Sequence, residues 1–456
     1  MAILTANYKT QKATPLFTFT NGIAEDKYLA SNEIKVQSAW ARALGRAHYL
    51  TETEVSQLLE SFAQALLLLK EDKFPWHIED EDVHMNLERF VTEKLGDLGK
   101  KMHLGRSRND LIATTLRLFC VQCIDEISVK IKVLSNALCT RSSKDIEIII
   151  PGLTHLQNGQ PVRYAHTLMS YAVAFHRDLQ KLQFAKSICL QTMPLGSAAL
   201  AGTTLDINLN DIATELGFEN PSLNSYDSVG DRDFMISTLE GFSSTALHLS
   251  RLSEDIIIWS SSNIALLNLP TSLSTGSSIM PNKRNPDVAE LTRGKSAHII
   301  NAVANAQLLL KGLPSCYNSD LHELKKVFIH SFQELTKILD IFPHFIQGLE
   351  INKEKALELL NKGHLLATEF ANELVDQGVP FREAYKQVAQ LVDYAQKKTL
   401  QIHEIHWQTV QSFAPKISQK FIQKLNFSCA VEMRNNCGGT AREMVLKTIE
   451  QLKNND

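Results

Sequence analysis

Residues 274–290, STGSSIMPNKRNPDVAE, carry the densest chemistry in the chain. The turn of Gly276, Ser277 and Ser278 offers backbone N–H groups and hydroxyls, and Lys283 and Arg284 add positive charge. That combination suits a loop that closes on an anion, above all a carboxylate. Gly276, Pro281 and Pro286 argue against a regular helix, and an ordinary surface loop is the competing reading. A second segment, residues 101–110, reads KMHLGRSRND. Ser107, Arg108 and Asn109 stand at a predicted helix start, where unpaired N–H groups favour negative charge. Plain capping by Ser107, Asn109 or Asp110 would use the same residues. A third segment, GLTHLQNGQPVRYAH at 152–166, crowds Thr154, His155, Gln157 and Gln160 beside Gly159 and Pro161. An imidazole is well suited to moving protons near neutral pH, which makes His155 a candidate acid or base; a structural histidine in a loop is the alternative.

Other reactive side chains carry less. Spacing alone nominates no metal set among the 15 histidines. His84 stands among Glu81 and Asp82 and reads as a paired residue. Cys120 and Cys123 form a CxxC without a second pair at zinc-finger spacing, and read as two thiols on a helix.

These segments need elements to hold them. Proline breaks helix interiors, so proline-free spans mark where long helices are allowed. Such spans run from Pro75 to Pro151, Pro161 to Pro194, Pro221 to Pro270, Pro286 to Pro314 and Pro314 to Pro343. Val55, Leu58, Leu59, Phe62, Leu66 and Leu69 recur at three- and four-residue steps, one face of an amphipathic helix. Strand-like runs are few, residues 146–150 being the clearest. The expectation is an all-α fold with a long-helix bundle. Ile256, Ile257 and Ile258 put apolar groups on several sides of one helix, which predicts burial against other subunits as well as within the chain. Boundaries near residues 104–107 and 348–352 give three predicted domains. They are an N-terminal helical domain (1–106), a central long-helix bundle domain holding the 274–290 loop (107–350) and a small C-terminal helical domain (351–456). Asn352 is placed to cap a helix, and Gly378-Val379-Pro380 reads as a helix stop followed by a start.

Composition narrows the function class. The chain has 456 residues, 44% hydrophobic and 21% charged, an ordinary globular balance. Lys and Arg number 47 against 50 Asp and Glu, a net charge of −3, so no strong field invites nucleic acid or an anionic membrane. No signal-peptide pattern opens the chain, and no apolar run approaches the ~18–20 residues of a spanning helix. A cytoplasmic location is expected.

Together the three segments resemble a known family. GSSIMPNKRNP is similar to the signature loop of the fumarase/aspartase superfamily, and HLGRSRND and THLQNGQPVRYAH resemble its argininosuccinate lyase branch. The likeness continues through PLGSAALAGT (194–203), NSYDSVGDRDF (224–234), GVPFREA (378–384) and GGTA (438–441). The resemblance implies cleavage of argininosuccinate to arginine and fumarate by anti β-elimination. It also implies a homotetramer with a central helical core, and active sites shared between three subunits. No metal or organic cofactor is implied. By resemblance, Ser277 is the base, held as an alkoxide by N–H groups of the 276–278 turn and by Lys283. His155 is the acid that protonates the departing nitrogen, and Glu290 pairs with it. Substrate-holding roles fall on Ser107, Arg108, Asn109, Thr154, Arg232, Asn285, Tyr317 and Lys325. His84, Gln157 and Ser278 are second-tier.

The chain also departs from the family pattern. A WGGRF-like N-terminal element is replaced by TANYKTQKATPLF. Gly22 stands near a family serine, Trp40 at a histidine, Leu111 at a glutamine, His322 at a glutamine, Leu324 at an aspartate and Gly159 at an alanine. These changes leave the catalytic set whole and fall on recognition of the amino-acid end. They motivate two competing expectations: a fumarate-releasing lyase for another N-substituted aspartate, and an idle structural homologue.

Overall fold

The structure is a computed structural model and describes residues 19–454; the TANYKTQKATPLF segment lies outside them. The fold is all-α and largely helical. Helices of ten residues or more are labelled in chain order: α1 (Ala30–Arg46), α2 (Glu52–Lys70), α3 (Val83–Leu95), α4 (Arg108–Lys144), α5 (Tyr164–Leu190), α6 (Asp233–Ser260), α7 (Asp287–Leu310), α8 (Leu321–Gly348), α9 (Ala367–Asp376), α10 (Phe381–Lys397) and α11 (Arg442–Asn454). The four proline-free spans that begin at Pro75, Pro161, Pro221 and Pro286 hold α4, α5, α6 and α7. The fifth expectation needs correction. Helix α8 runs through Pro343 to Gly348. Phe342, Phe345 and Ile346 are fully buried around the break, and their packing offsets the missing N–H.

The strands described form two-stranded ribbons. The longest joins β1 (Ile149–Thr154) to β2 (Gln157–Arg163), with an irregularity between Pro151 and Leu153. The 146–150 expectation therefore lands a few residues early. Segment 152–166 is strand, turn and strand rather than loop, followed by the first residues of α5. A second ribbon joins β3 (Thr275–Gly276) to β4 (Arg284–Asn285). Helix α7 then starts at Asp287, so Glu290 sits on a helix and not in the predicted loop.

Cα proximity divides the chain into two compact units. The first comprises Met1–Ser128, Leu179–Ala246 and Ala297–Thr336; the second comprises Val129–Asp178, Leu247–Ser296 and Lys337–Asp456. In the first, Trp40, Leu44, Leu58, Phe62, Leu87, Phe90 and Leu111 form one core. Helix α2 enters it through a capping box in which the Thr51 hydroxyl and the Glu54 carboxylate satisfy each other's backbone N–H groups. Also in this unit, α4, α6 and α8 meet around Phe328, whose ring lies 5.9 Å from Phe119 and 5.8 Å from Phe242. In the second unit, Phe370, Leu374, Val388, Leu391, Ile402 and Val410 form a further core. There Gly378 adopts a positive φ and Pro380 precedes α10, the stop and start that the sequence predicts. The Asn352 side chain caps the helix Lys353–Leu360.

Three departures from the family pattern become core. Trp40, Leu111 and Leu324 are buried, and Trp40 Nε1 donates to the Leu104 carbonyl at 2.9 Å. No helix among the described residues is long and apolar enough to cross a membrane.

Candidate active site

Ser277 follows β3 at the tip of its ribbon. Its Oγ accepts hydrogen bonds from the backbone N–H groups of Ile279, at 3.3 Å, and Met280, at 3.2 Å. Two donors converging on one hydroxyl oxygen stabilise negative charge there. The donors differ from the expected 276–278 turn because the chain folds forward over Ser277 toward Met280, whose carbonyl then accepts from the Lys283 N–H. Ser278 is exposed beside it. The ribbon is locked from below. Asp287 Oδ2 accepts from the Thr275 backbone N–H at 3.0 Å and its hydroxyl at 2.6 Å. That hydroxyl bond, with help from Lys283, holds the Asp287 carboxyl below the usual range. Asn285 Nδ2 lies 3.4 Å from the same Thr275 hydroxyl. Glu290 is exposed on the first turn of α7.

His155 and Leu156 are the two residues between β1 and β2, with φ of 55° and 57°. Two positive φ values in a two-residue hairpin are the pattern of a type I′ turn, which normally takes Asn-Gly. The turn lifts His155 into solvent, with Thr154 and Gln157 paired beneath it. His155 lines a cavity of about 900 Å³ with Tyr171, Arg177, His248, Arg251 and Trp259. Ser277, Lys283 and Glu290 do not line it, and among the described residues no hydrogen bond or ion pair joins His155 to Glu290.

The first unit brings four predicted substrate residues together. Arg108, Asn109, Tyr317 and Lys325 line one cavity of about 700 Å³, with Gly22 and His322. Arg108 pairs with Asp82 and Lys325 with Asp26, and both carboxylates are buried. The Tyr317 hydroxyl and His322 Nε2 are 2.5 Å apart. Burial, with Lys325 adding to it, pushes the His322 pKa down to about 4, so its ring is neutral at pH 7. Burial also raises the Tyr317 phenol. A Cβ on Gly22 would stand 3.8 Å from His322 Nδ1 and from Lys325 Nζ, so two departures from the family pattern face each other. Glu25, Glu81 and Asp320 add acidic groups to the same cavity.

Ser107 stands just before α4, where its Oγ accepts from the Asn109 N–H at 3.3 Å. Arg232 is buried and lines a different hollow with Cys316, its Nη1 donating to the Asp231 carbonyl at 2.6 Å. Burial lowers its pKa to about 10, still charged at pH 7.

Sequence reasoning missed the carboxylates that hold these groups. Asp82 carries a signal, since it caps α3 by accepting from the Met85 N–H at 2.8 Å. Asp26 carries none, its partner lying 299 residues away. Asp110 reads only as a capping residue. It accepts from Ser107, Gly196 and Ala198 N–H groups and ties the GRSRND segment to the PLGSAALAGT segment. Burial raises its pKa to about 6.

Known proteins match this chain along most of its length. Residues 8–301 match the family model described as lyase, and residues 364–432 match the one described as argininosuccinate lyase C-terminal. The argininosuccinate lyase of Lawsonia intracellularis is 38% identical over 446 residues, covering 98% of this chain and 97% of that protein. That of Desulfovibrio desulfuricans is 37% identical, covering 95% and 93%. Among solved structures, EDDS lyase in complex with formate superposes with a TM-score of 0.82 at 23% identity, covering 94% of this chain and 86% of that one. Class II fumarase from Schistosoma mansoni gives 0.74 at 17%, covering 88% and 90%. The two structures establish a shared fold. The family models and the sequence relatives, matched along nearly their whole length, establish more: this chain belongs to the argininosuccinate lyase family.

Proposed function

We propose that the chain is a carbon–nitrogen lyase that cleaves argininosuccinate to arginine and fumarate, a step of arginine biosynthesis. The observation that carries this reading is the match to argininosuccinate lyases over 98% of the chain. Elimination must remove a weakly acidic proton beside a carboxylate, and the charge then spreads into that carboxylate. Ser277 takes the proton as an alkoxide, which the Ile279 and Met280 N–H groups stabilise. Lys283 adds positive charge. His155 protonates the departing nitrogen, and Glu290 holds the imidazolium. Arg108, Asn109, Tyr317 and Lys325, with Ser107, Thr154, Arg232 and Asn285, hold the substrate. The acidic groups Glu25, Glu81 and Asp320 suit its cationic guanidinium end.

This chemistry needs His155 and Glu290 joined, which a single chain does not do. We therefore propose a homotetramer in which segments from three subunits complete each site. Exposed apolar residues along the long helices, among them Val129, Val133, Phe184, Leu247, Leu291 and Leu308, support it. The three-part division at 1–106, 107–350 and 351–456 belongs to the same proposal. So does a cytoplasmic location, favoured by seven cysteines that form no disulfide. Purified protein given argininosuccinate is expected to release fumarate, followed by ultraviolet absorbance. A folded tetramer that releases none counts against the reading. The facing pair Gly22 and His322 favours one second reading, an enzyme for a different N-substituted aspartate. Incubating fumarate with a panel of amines separates the two, because addition of arginine alone removes the second.

A further inference from the structure

We propose that His84, Glu88 and His103 form a binding site for a divalent transition-metal ion of the zinc class, with Glu33 orienting His84 from behind. The proposal uses neither the base nor the acid of the lyase reaction, so it stands independently of that reading.

The ligands converge from two elements. Helix α3 carries His84 and Glu88 one turn apart on the same face. His103 arrives from the 3-10 turn Lys101–His103. One atom of each comes to a common point: His84 Nε2 is 2.6 Å from His103 Nε2 and 3.9 Å from Glu88 Oε2, and His103 Nε2 is 3.0 Å from Glu88 Oε2. A tetrahedral zinc ion with bonds of about 2.0–2.1 Å sets its ligands roughly 3.3 Å apart, within that spread. The imidazole planes cross at 81°, so the rings point nitrogens at each other instead of stacking.

The surroundings are those of a metal site. Glu33 Oε1 lies 2.9 Å from His84 Nδ1. A carboxylate there fixes the proton on Nδ1 and turns the Nε2 lone pair inward, the outer-shell arrangement common to ligating histidines. Glu33 and His84 are fully buried, and Glu33 Oε2 has no hydrogen-bond partner. Glu33, Glu88 and Asp110 all act on the guanidinium of Arg106, so acidic groups outnumber the basic one around the cluster. His103 is about one-third exposed, which leaves an entry and room for water as a fourth ligand. A bound ion would pin α3 to the turn that precedes Ser107 and Arg108.

The competing account is a hydrogen-bonded His–His–Glu chain without an ion. Full-length protein stripped by chelator is titrated with zinc alone by calorimetry, and with cobalt while its visible absorption is recorded. The proposal expects one ion per chain and a zinc-dependent rise in thermal midpoint. His103→Ala is expected to abolish that rise, and Glu33→Gln to weaken zinc about 10–100-fold. Glu88→Gln, checked for folding by circular dichroism, serves where His103→Ala fails to fold and is expected to weaken zinc more than tenfold. Folded wild-type protein that takes up no zinc overturns the proposal, as does uptake unchanged by either ligand substitution.

Discussion

A serine is a poor base until something stabilises its alkoxide, and the Ser277 oxygen receives two backbone N–H groups. Ser277→Ala should lower turnover by about 10²–10⁴-fold while leaving the fold intact by circular dichroism, measured as fumarate release. A loss of only a few-fold would remove Ser277 from the role of base. His322 supports a prediction about stability. Its pKa is about 4 in the folded chain against 6.5 for the free imidazole. Between those values the unfolded chain binds the extra proton, so stability rises with pH from about 4 to 6.5 and levels off above. His322→Gln should flatten that window by about 1–2 kcal/mol after allowance for solvent screening, read from denaturant curves at several pH values. Residue types in the three segments were legible in the sequence. The carboxylate that pairs with Lys325 was not, because Asp26 reaches it only through tertiary folding.

At the scale of elements, two β-ribbons do the positioning in a largely helical chain. The turn at His155 and Leu156 places two non-glycine residues in the left-handed region. Leu156 is 68% exposed and contributes little packing within one chain. Leu156→Gly should therefore raise stability by about 0.5–1 kcal/mol, measured by chemical denaturation, because glycine adopts a positive φ without strain. A decrease would mean that Leu156 is covered in the assembled protein. Proline spacing located four long helices. It failed at Pro343, because burial of Phe342 and Phe345 outweighs the local break. In sequence the hairpin around His155 reads as a loop, since Gly152, Gly159 and Pro161 resemble loop punctuation as readily as an irregular ribbon.

The whole molecule raises the question of assembly. Leu247 on α6 is 48% exposed, and Val129 and Val133 on α4, Phe184 on α5, and Leu291 and Leu308 on α7 are exposed too. Leu247→Lys should leave circular dichroism unchanged while light scattering reports a mass below four chains, with fumarate release lost in proportion. A full-mass, fully active variant would place Leu247 outside the subunit contacts.

Some properties of this protein were written in its linear order. Helical class follows from apolar periodicity and proline spacing, since both act over a few residues. Membership of the lyase family follows from short contiguous motifs. Tertiary structure alone decided which carboxylate neutralises Arg108 and Lys325. It alone set Gly22 opposite His322 and brought His103 to the helix face that His84 and Glu88 share. Charge pairing and ligand geometry depend on distance in space, and between residues tens to hundreds of positions apart no local pattern encodes that distance.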